Sequence, residues 1–188
     1  MQSWQQHLAE SVEEILFDEE TLAKRVKELA KEITADYQQL DISELVIIGI
    51  LRGSVLFMSD LIRHIDLPVT IDFMAVSSYT KGTRSSGTVR ILKDINESIQ
   101  DKHVMIVEDI VDTGLTLQCL RELLCARQPK SLRICTLLDK PLRRRVEVPV
   151  DYVGFQIEDK FVIGYGLDYN DHYRQLPYIG VLKPEIYA

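Results

Sequence analysis

Residues Val104–Leu117 read VMIVEDIVDTGLTL, and the rest of the chain is understood outward from them. Four apolar residues, Val104 to Val107, run directly into Glu108 and Asp109. A short turn then brings Asp112, Thr113, Gly114 and Thr116 to the start of a helical run, Leu115 to Ala126, that ends before Pro129. A short apolar run without alternation is a strand covered on both faces, and a proline beyond a periodic segment marks a helix end. Such a strand, turn and helix aim backbone N–H groups and the positive end of the helix dipole at one spot, with Thr hydroxyls as further donors. That spot should bind a phosphate. The paired acids before it repel the same group, so they should face something neutral or cationic, and ribose hydroxyls or a magnesium ion both fit. Capping would account for Asp112 and Thr113, but it needs neither Glu108 nor Asp109.

On either side of this stretch, strands and helices alternate. Asp18 is a good N-cap, with Phe17 and Leu22 placed as a hydrophobic staple, and Leu22, Val26, Leu29, Ile33 and Tyr37 then define one helical face. Leu45–Ile50 reads as a covered strand and Val55–Ile65 as the helix after it. Val69 to Ala75 alternates like a strand with one more exposed face. Ser77–Gly87 (SSYTKGTRSSG) has no aliphatic residue, so it reads as a long mobile loop before a strand at Thr88–Leu92, with Gly82 and Gly87 as hinges. His103–Val107 and Leu132–Leu138 complete the strands. The α/β class follows: an open, mostly parallel twisted sheet flanked by helices, with ligands beyond the carboxyl ends of the strands. The last fifty residues, richer in Pro, Tyr and charge, read as a cap over the sheet edge.

Composition narrows the function classes. The 188 residues suit a single domain, and 46% hydrophobic with 27% charged residues excludes disorder. Against 29 acidic side chains stand 22 basic ones, a net charge of −7, so nucleic acid is not an expected partner and anions must be held locally. Cys119, Cys125 and Cys135 form no CxxC pair and read as reduced core thiols. His7, His64, His103 and His172 lack ligand spacing and read as surface or packing residues. With no apolar run near the roughly 20 residues that cross a bilayer and no signal peptide, a cytoplasmic protein is expected.

The stretch quoted first resembles the phosphoribosyl pyrophosphate (PRPP) motif of type I phosphoribosyltransferases. Leu51–Ser54 (LRGS), Ser77–Tyr79, Lys140 and Lys160–Arg174 (KFVIGYGLDYNDHYR) narrow this to the hypoxanthine phosphoribosyltransferase family, matched in order and spacing from about residue 44 to 182. The resemblance implies a single domain with the type I phosphoribosyltransferase fold, a core over about 40–138 and a small hood from about 1–17 and 139–188. It implies transfer of the 5-phosphoribosyl group of PRPP to N9 of hypoxanthine or guanine, giving IMP or GMP and pyrophosphate, with Mg2+ as cofactor and a homodimer or homotetramer as the assembly.

Site roles come with it. Glu108 and Asp109 would hold the ribose hydroxyls, directly or through magnesium, and Asp168 would bind a magnesium and line the purine site. Asp112, Thr113, Gly114, Leu115 and Thr116 would cradle the 5′-phosphate, with Asp112 also handling the purine N7 proton. Arg52 and Gly53 belong to the pyrophosphate loop, where relatives carry a cis peptide at the bond matching Leu51–Arg52, and Arg174 would meet the departing pyrophosphate. Lys140 would donate to the 6-oxo group, Phe161 would stack on the base, and the Val162 backbone would read its edge. Ser78 and Tyr79 would belong to a lid that excludes water. Leu115 and Ser54 depart from the residue types frequent at those places. Two alternatives stay open: a transferase preferring guanine or xanthine, and a regulator that keeps the PRPP fold but binds nucleic acid, for which the leader of about seventeen residues and the negative charge are poorly suited.

Overall fold

Apolar runs too short to be helices alternate with amphipathic ones, and the chain folds accordingly. The computed structural model describes residues 8, 10–40, 42–81 and 84–187, and of 78–81 and 84–88 the backbone alone. In chain order the elements are β1 (Val12–Phe17), α1 (Glu19–Gln38), β2 (Leu45–Leu51), α2 (Val55–Ile62), β3 (Val69–Lys81), β4 (Arg84–Lys93) and β5 (His103–Val111). They continue with α3 (Leu115–Cys125), β6 (Ser131–Asp139), β7 (Tyr152–Gln156), β8 (Val162–Ile163), β9 (Ile179–Leu182) and α4 (Pro184–Tyr187).

Six strands form the main sheet in the order β4-β3-β2-β5-β6-β7, parallel except for the β3–β4 pair. The order reverses around β2 and β5, and a cleft opens beyond the carboxyl ends of strands at such a point. Leu22, Val26, Leu29, Ile33 and Tyr37 of α1 pack with Phe57 and Leu61 of α2 on one side of the sheet. Leu117, Leu120 and Leu124 of α3 cover the other. Asp18 caps α1 as expected, its Oδ1 accepting the Thr21 N–H at 2.8 Å. A second, antiparallel sheet, β1-β9-β8, packs around Leu8, Ile163, Tyr173, Leu176 and Leu182.

Several expectations need correcting. Ser77–Gly87 is not a loop: β3 runs on to Lys81 and β4 starts at Arg84, paired from Ser77 with Arg90 to Lys81 with Arg84, with a register shift between Ser78 and Thr80. A hairpin can be held by its backbone ladder without inward side chains, so polar composition does not reveal it. Gly82 and His7 lie outside the described residues. Helix α2 ends at Ile62, three residues early, although Ile65 is buried beyond it, so the apolar spacing outlasts the helix. β5 extends through Glu108 and Asp109 to Val111 instead of stopping at Val107. β1, in the polar leader, owes its place to pairing with β9. β7 lies within the segment read as cap but is the parallel edge strand of the main sheet. Arg25 of α1 guards that edge, its Nε donating to the Gly154 carbonyl at 2.9 Å and its Nη2 to that of Val153 at 2.8 Å. The three cysteines are not joined in a disulfide, and of those read as core thiols only Cys135 is buried, Cys119 being half-buried and Cys125 exposed. Among the described residues no helix is long and apolar enough to cross a membrane.

At the amino end of β5, His103 Nδ1 lies 2.7 Å from Ser131 Oγ, while its buried Nε2 has no hydrogen-bond partner among the described residues. Burial, then the charges of Lys130 and Arg133, lower its pKa below 6.5. The unfolded chain therefore takes up this proton at higher pH than the native one, and the stability His103 confers is complete above pH 6.5 and lost as pH falls from there through the lower native pKa. In melting curves from pH 7.5 to 5, the wild-type Tm should fall relative to that of His103→Phe; parallel curves would exclude His103 as the source.

Candidate active site

The alternation of β5 places Glu108 toward the α3 side of the sheet and Asp109 toward the opposite side. Each lines a different hollow at the strand's carboxyl end. Glu108 joins Asp112, Thr113, Gly114 and Thr116 around a depression of about 120 Å3. Asp109 joins Asp112, Lys140, Phe161, Val162 and Asp168 around a cavity of about 530 Å3, so Asp112 borders both. Burial pushes both acids up: Glu108, 8% exposed, is raised well above its usual value by desolvation and then by the charge of Asp109, and Asp109 is raised to about 6, chiefly by desolvation.

The turn after β5 is built for close approach. Gly114 takes φ 81°, a left-handed conformation in which a side chain is strained, and a Cβ there would press on Val146. Arg145 N–H donates to the Thr113 carbonyl at 3.0 Å and Arg144 Nη1 to that of Asp112 at 3.2 Å, pinning the turn from outside. Leu115 opens α3, its N–H 3.5 Å from Thr113 Oγ1, and its side chain does not line the depression.

On the other side of Asp109 three segments meet. The Leu51–Arg52 peptide is cis, as expected. A Cβ at Gly53 would stand 1.5 Å from Asp109 Oδ2, and one at Gly166, where φ is 102°, would stand 2.0 Å from the Gly53 carbonyl oxygen. Arg174 reaches into this junction, its Nη2 2.6 Å from Asp168 Oδ1 and its Nη1 donating to the Gly166 carbonyl at 2.7 Å. Asp171 pairs with both Arg52 and Arg174. Lys140, 8% exposed, donates from Nζ to the Lys160 carbonyl at 2.7 Å and lies 3.4 Å from Asp159 Oδ1.

The structure thus gathers Asp109, Asp112, Lys140, Phe161, Val162 and Asp168 in one cavity, with Glu108 and the Thr113–Thr116 turn beside it and Arg52, Gly53 and Arg174 behind Asp109. Ser78 and Tyr79 lie in β3, and their side chains are outside the described residues. The sequence reading missed Ile110, Arg143, Asp159, Leu167 and Tyr187 in the cavity wall. Arg143 bridges two acids, its Nε 3.0 Å from Asp112 Oδ1 and its Nη1 3.3 Å from Asp159 Oδ2. Ile110 and Leu167, each beside a chosen acid, could have been found from their neighbours; Tyr187 left no signal.

No three His, Cys, Asp or Glu side chains converge as a ready-made metal cage among the described residues. Magnesium needs none: it takes one or two carboxylates and completes its shell with water and substrate phosphates. The carboxylates of Glu108 and Asp109 at the end of β5 fit that manner of binding, and Asp168 lies close enough to Asp109 to raise its pKa further.

A family model for the phosphoribosyl transferase domain matches residues 12–170. A hypoxanthine-guanine phosphoribosyltransferase of Staphylococcus aureus is 53% identical over 177 residues, covering 94% of this chain and 97% of that one. The hypoxanthine phosphoribosyltransferase of Haemophilus influenzae is 53% identical over 167 residues, 89% and 93% of the two chains. The crystal structure of an S. aureus hypoxanthine phosphoribosyltransferase superposes with a TM-score of 0.93 at 50% identity, covering 99% of this chain and all of that one. A Trypanosoma cruzi hypoxanthine phosphoribosyltransferase variant in a ternary substrates complex gives 0.91 at 49% identity, covering 95% and 100%. With this fold, an acid pair at a strand end and a Gly-containing turn at the start of α3, the chain is a type I phosphoribosyltransferase, and within that class it belongs to the hypoxanthine phosphoribosyltransferase family.

The Gly53–Asp109 packing is testable by itself. Gly53→Ala should cost about 1–3 kcal/mol of overpacking, a Tm lower by about 2–12 °C for a chain of this size, because the methyl must displace the Asp109 carboxylate. A thermal melt within 1 °C of wild type would show that the two segments are not in contact.

Proposed function

We propose that the chain transfers the 5-phosphoribosyl group of PRPP to N9 of hypoxanthine, and of guanine as a second base, releasing IMP or GMP and pyrophosphate. The observation that carries this reading is the single cavity in which Lys140 and Phe161, suited to a flat oxopurine, face Asp109, Asp112 and Asp168. Family membership supports the reaction. The arginines next to Lys140 support an enzyme over a nucleic-acid regulator, since Arg143 is engaged by Asp112 and Asp159, and Arg144 by Asp139 at 2.5 Å.

In this mechanism the bond from C1′ to pyrophosphate breaks as N9 bonds to C1′. Positive charge grows on the ribose, and the Glu108–Asp109 pair offsets it. The base lies on Phe161, with Lys140 Nζ donating to its 6-oxo oxygen and the Val162 backbone at its edge. Its N7 proton passes to Asp112, which Arg143 orients. The Thr113–Thr116 amides and hydroxyls hold the 5′-phosphate. Arg174 and Arg52 exchange Asp171 for the departing pyrophosphate. Glu108, Asp109 and Asp168 are the residues that would hold magnesium, which when bound neutralises charge on the leaving group. We further propose, on membership alone, a homodimer or homotetramer in the cytoplasm, and a closing role for the β3–β4 hairpin with Ser78 and Tyr79.

A base-by-base assay with PRPP and Mg2+ tests the whole reading: turnover of hypoxanthine and guanine but not adenine or uracil is expected, and no turnover of either oxopurine would overturn it. Asp112→Asn should keep PRPP affinity while kcat falls at least about a hundredfold, the scale of general acid–base assistance; near-normal kcat would remove Asp112 from proton transfer. Lys140→Ala should raise KM for both oxopurines far more than KM for PRPP, and equal rises would show that Lys140 does not read the base.

A further inference from the structure

The last turn of the chain enters the cavity from the hood. Helix α4 is anchored through its backbone: Lys183 N–H donates to the Ser11 carbonyl at 3.0 Å, Ile186 N–H to that of Lys183 at 3.0 Å, and Tyr169 Oη to that of Ile186 at 3.1 Å. The Ile186 side chain packs on the hood's apolar cluster. This fixes Tyr187 against Phe161, ring centroids 4.8 Å apart and planes 21° from parallel, while Tyr169 meets Phe161 edge-on at 5.6 Å and 86°. Phe161 is 36% exposed, so burial alone does not set its ring plane. Its own backbone is held, with the Phe161 carbonyl accepting the Leu182 N–H at 2.8 Å, which leaves the side-chain torsions as its freedom. The two tyrosines remove that freedom, and Tyr187 also lines the cavity shared by Lys140, Val162 and Asp168.

We propose that Tyr187 is a positioning residue of the purine subsite: stacked on Phe161, it holds that ring in the plane on which the base lies. The inference rests on the proposed reading of this cavity as an oxopurine site. A planar base gains from stacking only if its partner ring is already oriented, because ordering a loose ring on binding costs conformational entropy. Tyr187 therefore acts on base affinity and leaves the phosphate and pyrophosphate contacts alone.

The test uses the full chain with Tyr187→Ala and Tyr187→Phe. Steady-state kinetics with each oxopurine varied at saturating PRPP, and the reverse, separate the two sites. Tyr187→Ala should raise KM for hypoxanthine and guanine about three- to ten-fold, the range of an aromatic pair, with KM for PRPP unchanged. Tyr187→Phe, which keeps the ring, should restore wild-type values. Unchanged base KM, or equal rises for base and PRPP, would overturn the proposal. A lowered base KM would also overturn it, since the ring would then occupy the place of the base. If wild type turns over neither oxopurine, the proposed function falls by itself. Calorimetric titration of IMP into the three proteins then decides Tyr187: weaker binding by Tyr187→Ala alone supports it, and equal binding overturns it.

Discussion

Two adjacent carboxylates at the end of a buried parallel strand impose the constraint around which this molecule is arranged. Glu108 and Asp109 leave water on opposite faces of β5, and burial raises the pKa of both. Charges in that position need compensation that the strand cannot supply, and neighbouring segments converge on them. Gly53 lies so close to Asp109 that any Cβ there would have to displace its carboxylate, and a Cβ at Gly166 would collide with the Gly53 carbonyl. Arg174 brings its guanidinium to the neighbouring Asp168 and lowers the pKa of Asp109. In the proposed reaction this acid pair meets cations and an electron-poor sugar, and the turn that follows meets an anion. Strand alternation divides the pair itself: Asp109 faces the larger cavity, whereas Glu108 shares the smaller depression with the turn.

The hood is organised by its backbone more than by side-chain burial. Tyr165, Asn170, Asp171 and Tyr173 have positive φ, as do Gly164 and Gly166, so the chain between β8 and β9 coils tightly on itself. The coil is closed by paired bonds between Gly164 and Leu167 and between Tyr169 and His172. It presents Asp168, Asp171 and Arg174 to the loop after β2. β1 and β9 pair beneath it and α4 follows β9, which is how residues as far apart in the chain as Asp109 and Tyr187 come to share one cavity wall.

Much of the main sheet was legible in the sequence. The spacing of Leu22, Val26, Leu29, Ile33 and Tyr37 marks a face that is indeed buried, and Leu45–Ile50 is covered on both sides as its lack of alternation implies. Burial leaves a periodic trace because each inward residue must be apolar. Pairing leaves none. The hairpin from Ser77, the strand β1 and the edge strand β7 are held by backbone ladders that any side chain permits, so polar composition misreports the first two, and the third is hidden in a segment rich in charge.

The sequence by itself determined the chemistry available: a strand ending in two acids, a Gly-containing turn at a helix start, and a set of downstream motifs specific enough to indicate the family. Those features are local, and local spacing suffices to state them. Only the tertiary structure decided which side chains share a space, placing Arg143 on Asp112, Asp171 between Arg52 and Arg174, and Tyr187 on Phe161. Such contacts join segments whose separation along the chain is unrelated to their distance in the fold. They depend on how the hood's turns dock onto the sheet, which no periodicity encodes.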